Sequence, residues 1–89
     1  MIKALSVSVI RHGVLRLTFS DGTFGEYDLC DLLQRGTEMT APLQDPDVFS
    51  RVFIEFGAPT WPNGFDLAPW ALHQRMKDQG TLKAVDSAA

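Results

Sequence analysis

Between Ala4 and Leu29 apolar and polar residues alternate in three consecutive runs, separated by glycine-containing turns. Successive side chains of an extended chain point to opposite faces, so a period of two selects half-buried strands over helix. Leu5, Val7 and Val9 share one face of a strand over Ala4 to Arg11, with Ser6 and Ser8 on the other. His12-Gly13 links it to a second run, in which Leu15, Leu17 and Phe19 oppose Arg16 and Thr18. The third runs from Thr23 to about Leu29, and together they predict an antiparallel meander.

Ser20-Asp21-Gly22 is the strongest turn signal, and register selects its form. A two-residue Asp21-Gly22 loop would set Leu17 opposite Glu26 and mix the faces. A three-residue loop with Gly22 in a left-handed bulge pairs Leu15 with Tyr27, Leu17 with Gly25 and Arg16 with Glu26. The second form keeps the faces consistent and creates an opposite-charge cross-strand pair.

Downstream the pattern becomes mixed. Asp28 to Arg35 predicts a short helix ended by Gly36, with Leu29, Leu32 and Leu33 at helical spacing, and a loop follows to Leu43. Asp45-Pro46-Asp47 opens a helical turn that closes near Ser50, with an aspartate cap, proline at the first helical position and a second acid favoured by the dipole. Arg51 to Phe56 predicts a fourth strand with Val52, Ile54 and Phe56 on one face, and Thr60-Trp61 a short fifth. Pro62-Asn63-Gly64 is a turn, and Pro69 starts a last helix to about Gln79 that carries Leu72 and Met76 one turn apart. The fold class is α+β: a small antiparallel sheet packed with short helices and a C-terminal helix. Residues 1–80 form one domain, and the aperiodic segment 81–89 is expected to be a flexible tail.

Composition excludes several classes. The chain has 89 residues, enough to close one modest core without a metal or disulfide. Its hydrophobic fraction of 45% and charged fraction of 21% fit neither a disordered nor a fibrous chain. Net charge is -3, and basic residues do not cluster along the sequence, so direct nucleic-acid binding is not expected. One cysteine, Cys30, allows neither an internal disulfide nor a structural zinc pattern, which suits a reducing cytoplasm. No stretch approaches membrane-spanning length, and the alternating first ten residues are read as a strand and not a leader.

The order of motifs Phe19-Ser20-Asp21-Gly22, Tyr27-Asp28-Leu29, Pro42-Leu43, Asp45-Pro46 with Phe49, and Trp61-Pro62-Asn63-Gly64 with Asp66-Leu67 resembles the bacterial domain-of-unknown-function family number 2442, over nearly the whole chain. The resemblance implies a small α+β domain found alone or placed before a helix-turn-helix DNA-binding domain in regulator-like proteins, and partners encoded beside small toxin-like proteins. It also brings a link to molybdopterin-guanine dinucleotide biosynthesis, the enzymatic alternative, but Gly22, Gly25 and Gly36 form no phosphate-cradling arrangement. Before Pro69 the family pattern has a serine-like cap; here Ala68 stands there, so Asp66 or water is expected to serve the first helical amides.

Candidate site residues are few. Trp61, Asn63 and Asp66 gather an aromatic, an amide and an acid around one turn, and would line a small-ligand cleft with Trp61 as its apolar wall. Each also has a structural role open to it: Trp61 in the core, Asn63-Gly64 in the turn, Asp66 on backbone amides. Asp21 is a ligand contact or simply the residue expected before Gly22. Cys30, His12 and His73 are not brought together by spacing, so no catalytic residue and no metal site is assigned, and no cofactor is expected. Asp28 with Asp31, and Asp45 with Asp47, are explained by helix starts. Phe24, Phe53 and Trp70 fall on faces opposite Tyr27, Ile54 and Leu72, and would remain exposed if helices cover one side of the sheet. The preferred function is a non-catalytic protein-interaction module that binds a protein partner or self-associates as a homodimer; the alternative is a small-ligand binding domain.

Overall fold

The structure, a computed structural model, describes residues 1–84. Its order is β1 (Ala4–Arg11), β2 (Val14–Phe19), β3 (Thr23–Asp28), α1 (Cys30–Arg35), a 3-10 turn (Ala41–Gln44), α2 (Pro46–Phe49), β4 (Phe53–Glu55), β5 (Ala58–Thr60), α3 (Pro69–Gln79) and β6 (Lys83–Ala84). Strands β1-β2-β3-β6 form an antiparallel sheet in that spatial order, and β4-β5 form a separate hairpin.

The β2-β3 register follows the three-residue loop: Leu15 faces Tyr27, Arg16 faces Glu26 and Leu17 faces Gly25. Gly22 sits at φ 86, and its amide donates to the Phe19 carbonyl at 3.1 Å. Leu15, Leu17 and Phe19 are therefore all inward and fully buried.

β1 departs from the expected pattern. Its pairing to β2 shifts between Ala4 and Ser6 and again between Val9 and Arg11, leaving Leu5 and Ile10 as the extra residues of two bulges. The first bulge turns Ala4 inward in place of Leu5, which is exposed, while Val7 and Val9 stay half-buried against the core. A regular period of two cannot reveal a bulge because the inserted residue breaks the period itself.

Helices cover one face of the sheet. Leu33 of α1, Phe49 of α2, and Leu72 and Met76 of α3 join the inward residues of β2 and β3 in one core, completed by Leu29, Leu43 and Trp61. The opposite face carries Ser6, Ser8, Arg16, Thr18, Phe24 and Glu26, all exposed or half-buried.

The last predicted elements need two corrections. The fourth strand is shorter than Arg51 to Phe56, because Phe56-Gly57 is a two-residue turn and β5 begins at Ala58, with Glu55 opposite Ala58. The tail expected from Thr81 is not wholly without structure: Lys83–Ala84 pairs with Thr23 and Phe24 as β6. Two residues are too few to show a period, and the chain is held there by a close approach. A Cβ on Gly25 would collide with the Thr81 carbonyl and come within 2.9 Å of Met76 Cε. The rest of that tail, residues 85–89, lies outside the described residues.

Candidate functional site

The Trp61–Asp66 corner is built around a buried indole. Trp61 is 0% exposed and stacks at a tilt on Phe49 and Phe65, with centroids 5.7 and 5.6 Å away. Its Nε1 donates to the Phe49 carbonyl at 2.9 Å, which satisfies the one polar atom such a ring would otherwise strand in the core. The expectation that Trp61 walls a ligand cleft is therefore corrected: a side chain closed off from solvent on every side offers no surface to a ligand.

Asn63 holds the turn from both ends, accepting from the Phe65 amide at 3.1 Å and donating to the Met39 carbonyl at 3.0 Å. Asp66 is exposed and bridges Thr60 through its backbone. It does not serve the first amides of α3: Ala68 occupies the N-cap, and no side chain caps the helix.

Asp21 is part of a small polar knot. Oδ1 accepts from the amide and hydroxyl of Thr23 at 3.1 and 2.6 Å, and Oδ2 lies 2.8 Å from Nε2 of His73. The Thr23 hydroxyl bond, more than the His73 contact, holds the Asp21 carboxyl below its ordinary range. His73 in turn packs edge-on against Phe19, 5.2 Å between centroids. The knot ties α3 to the β2-β3 turn across 52 residues of sequence.

The structure does bring Cys30 and His12 to one open groove of about 420 Å³, together with Gln34 and Gln44. The chemistry there is quiet. His12 Nε2 pairs with the Leu43 carbonyl at 2.9 Å, and its ring meets Phe49 edge-on. Cys30 is exposed, and its thiol is hydrogen-bonded to the Asp28 carboxylate, which pushes its pKa up and keeps sulfur protonated. Among the described residues no group of three or more His, Cys, Asp or Glu is placed to hold a metal ion.

Exposed apolar side chains are the more prominent feature. Phe53 and Trp70 are 41% and 64% exposed, and Phe24 is half-buried beneath the Arg16 guanidinium, 5.0 Å from its ring centroid. These three stand on separate elements, and no ring contact among the described residues joins them.

The alternation puts Phe56 on one face with Val52 and Ile54, which are half-buried, yet Phe56 is 97% exposed. It occupies the first position of the β4-β5 turn at φ 51, with Gly57 at φ 77, so both turn residues are left-handed, the signature of a type I′ hairpin. The turn is pinned to the sheet where the Ala4 amide donates to the Gly57 carbonyl at 2.7 Å, and Lys3 packs against Gly57. Gly57 followed by Pro59 was the available signal for this hairpin, masked by the apolar alternation running through Phe56.

The family model described as "Protein of unknown function (DUF2442)" matches residues 4–77. Among solved structures, the crystal structure of a Nitrosomonas europaea protein described as "Putative DNA Binding Protein" is similar, with a TM-score of 0.75 and 29% identity over 90% of this chain and 52% of that chain. This chain thus spans about half the length of that neighbour. No curated protein matches it. The neighbour's description overturns the expectation that nucleic acid is excluded as a partner. That expectation rested on net charge and on spacing along the sequence, and neither measures what folding gathers on one surface. Among the described residues no helix is long and apolar enough to cross a membrane.

Proposed function

We propose, given that this chain belongs to the DUF2442 family of proteins of unknown function, that it is a non-catalytic protein-interaction module whose contact is anchored by Phe56 at the β4-β5 hairpin tip. One observation carries this reading: a large apolar residue stands 97% exposed in a left-handed backbone conformation. A non-glycine residue there costs about 1 kcal/mol, and an exposed ring recovers nothing by burial. Asparagine suits the position better on both counts. Local rules broken without local compensation are expected where a residue serves binding and not folding. Leu5 lies next in sequence to Ala4, which the hairpin grips, and Phe53 is on the adjoining strand; both are exposed and apolar. Aromatic anchors of this kind dominate protein interfaces.

The Nitrosomonas europaea neighbour, about twice the length that this chain matches, supports a working context of DNA-binding, regulator-like assemblies in which the domain recruits or pairs with another protein. The test is Phe56→Asn. The variant is expected to unfold at higher urea concentration, by about 1 kcal/mol, while losing a stoichiometric protein partner captured from native cells, or the self-association seen by light scattering. A variant that keeps the same partner, or a wild-type chain that stays monomeric with no partner at all, counts against the module reading.

A further inference from the structure

The sheet face that no helix covers has its own cleft, at the end where β6 joins β3. It measures about 340 Å³, within the ~300–1,000 Å³ range of small-ligand sites. Arg16, Phe24, Glu26 and Lys83 line it. Arg16 and Lys83 are 67 positions apart in sequence, and β6 pairing brings Lys83 directly opposite Phe24. The guanidinium is held over the Phe24 ring at 5.0 Å, and the Asp21 carboxylate is engaged by His73 and Thr23 instead of by either cation.

We infer that this cleft binds single-stranded nucleic acid, one nucleotide unit seated in it and the strand running out over the open face. A planar guanidinium and an ammonium lining one cleft from either side of β3 are the donors that phosphate oxygens require. The Arg16-Phe24 pair offers a flat cationic and aromatic platform on which any base stacks, and the Glu26 carboxylate accepts from an exocyclic amino group. A strand is favoured over a free nucleotide because the cleft opens on a polar sheet face that continues through Ser8, Ser6 and Thr18, all reachable by neighbouring nucleotides.

The test is fluorescence anisotropy of a labelled twelve-nucleotide oligodeoxycytidylate, whose bases carry the amino group that Glu26 accepts from, titrated with the full chain and its Arg16→Ala, Lys83→Ala and Phe24→Leu variants, with unlabelled deoxycytidine monophosphate as competitor. Wild type is expected to bind in the range of about 1 to 100 μM and to weaken as salt rises from about 50 to about 200 mM. Arg16→Ala and Lys83→Ala should each weaken binding about tenfold and flatten the salt dependence, and Phe24→Leu should weaken it at least about fivefold through lost stacking. Lys83 lies on an exposed two-residue edge strand, so its replacement cannot be mistaken for unfolding. No binding at about 1 mM chain, unchanged binding by Lys83→Ala, or monophosphate competing with the affinity of the oligonucleotide would each overturn the assignment.

Discussion

Asp28 and Cys30 lie two residues apart at the mouth of α1, and each sets the other's protonation. The carboxylate accepts from the Cys30 amide at 2.7 Å and from its thiol, which lowers the Asp28 pKa and raises that of Cys30. A carboxyl depressed in the folded state adds stability that is present above its unfolded value and is lost as pH falls through the folded one. Asp28→Asn keeps an oxygen for the amide but removes the charge. Because the group is exposed, screening holds the loss at neutral pH to well under about 1 kcal/mol, and the gap to wild type should close in acid, below the ordinary carboxylate range. The sharper readout is sulfur: without the carboxylate the thiolate forms more readily, so Cys30 in Asp28→Asn should alkylate faster near pH 8. An unchanged rate would mean that Asp28 does not hold the thiol proton.

Among the elements, α3 is secured unevenly. Its C-terminal end closes on Gly80, whose amide reaches the Met76 and Lys77 carbonyls, and its buried stripe of Leu72 and Met76 locks it to the sheet. Its start has proline at the first position but an uncapped Ala68 in extended geometry, φ -66 and ψ 120. That backbone is already the one a capping serine adopts, so Ala68→Ser should stabilise the domain by about 1 kcal/mol, raising the melting temperature by roughly 4–8 °C. A melting temperature at or below wild type would show that the first amides gain nothing from the hydroxyl. The meander has a different economy: the β2-β3 turn is fixed by its own residues, whereas β1 bends through bulges at Leu5 and Ile10 to meet the hairpin at Ala4.

At the scale of the molecule, Trp61 joins parts that local structure leaves separate. The ring spans α2 through Phe49 and the Asn63-Gly64 turn through Phe65, and its backbone follows directly on β5. Truncation to Trp61→Ala would remove the largest buried side chain and leave the Phe49 carbonyl only its longer bond from the Val52 amide, 3.4 Å. A cost of about 3–5 kcal/mol is expected, against total stabilities of roughly 5–15 kcal/mol for domains of this kind. Urea unfolding followed by circular dichroism should show the midpoint collapse, with Trp61→Phe falling between alanine and wild type. A loss below about 1 kcal/mol would mean that the hairpin and the helices do not share one cooperative core.

The sequence by itself determined the meander, the register across the Asp21-Gly22 turn, the capped start at Asp45-Pro46 and the extent of α3, because each is a contest among neighbouring residues that period and turn chemistry decide. It also offered both roles for Trp61 and Asn63 without choosing between them. Tertiary structure chose: the hairpin and α2 close around the indole, and burial removed it from any surface. Only the fold decided that Phe56 would stand in solvent, that Gly25 would make room for Thr81, and that Arg16 and Lys83 would share a cleft. Those outcomes depend on which distant segments approach, and long-range approach is set by the shared core, which no local pattern encodes.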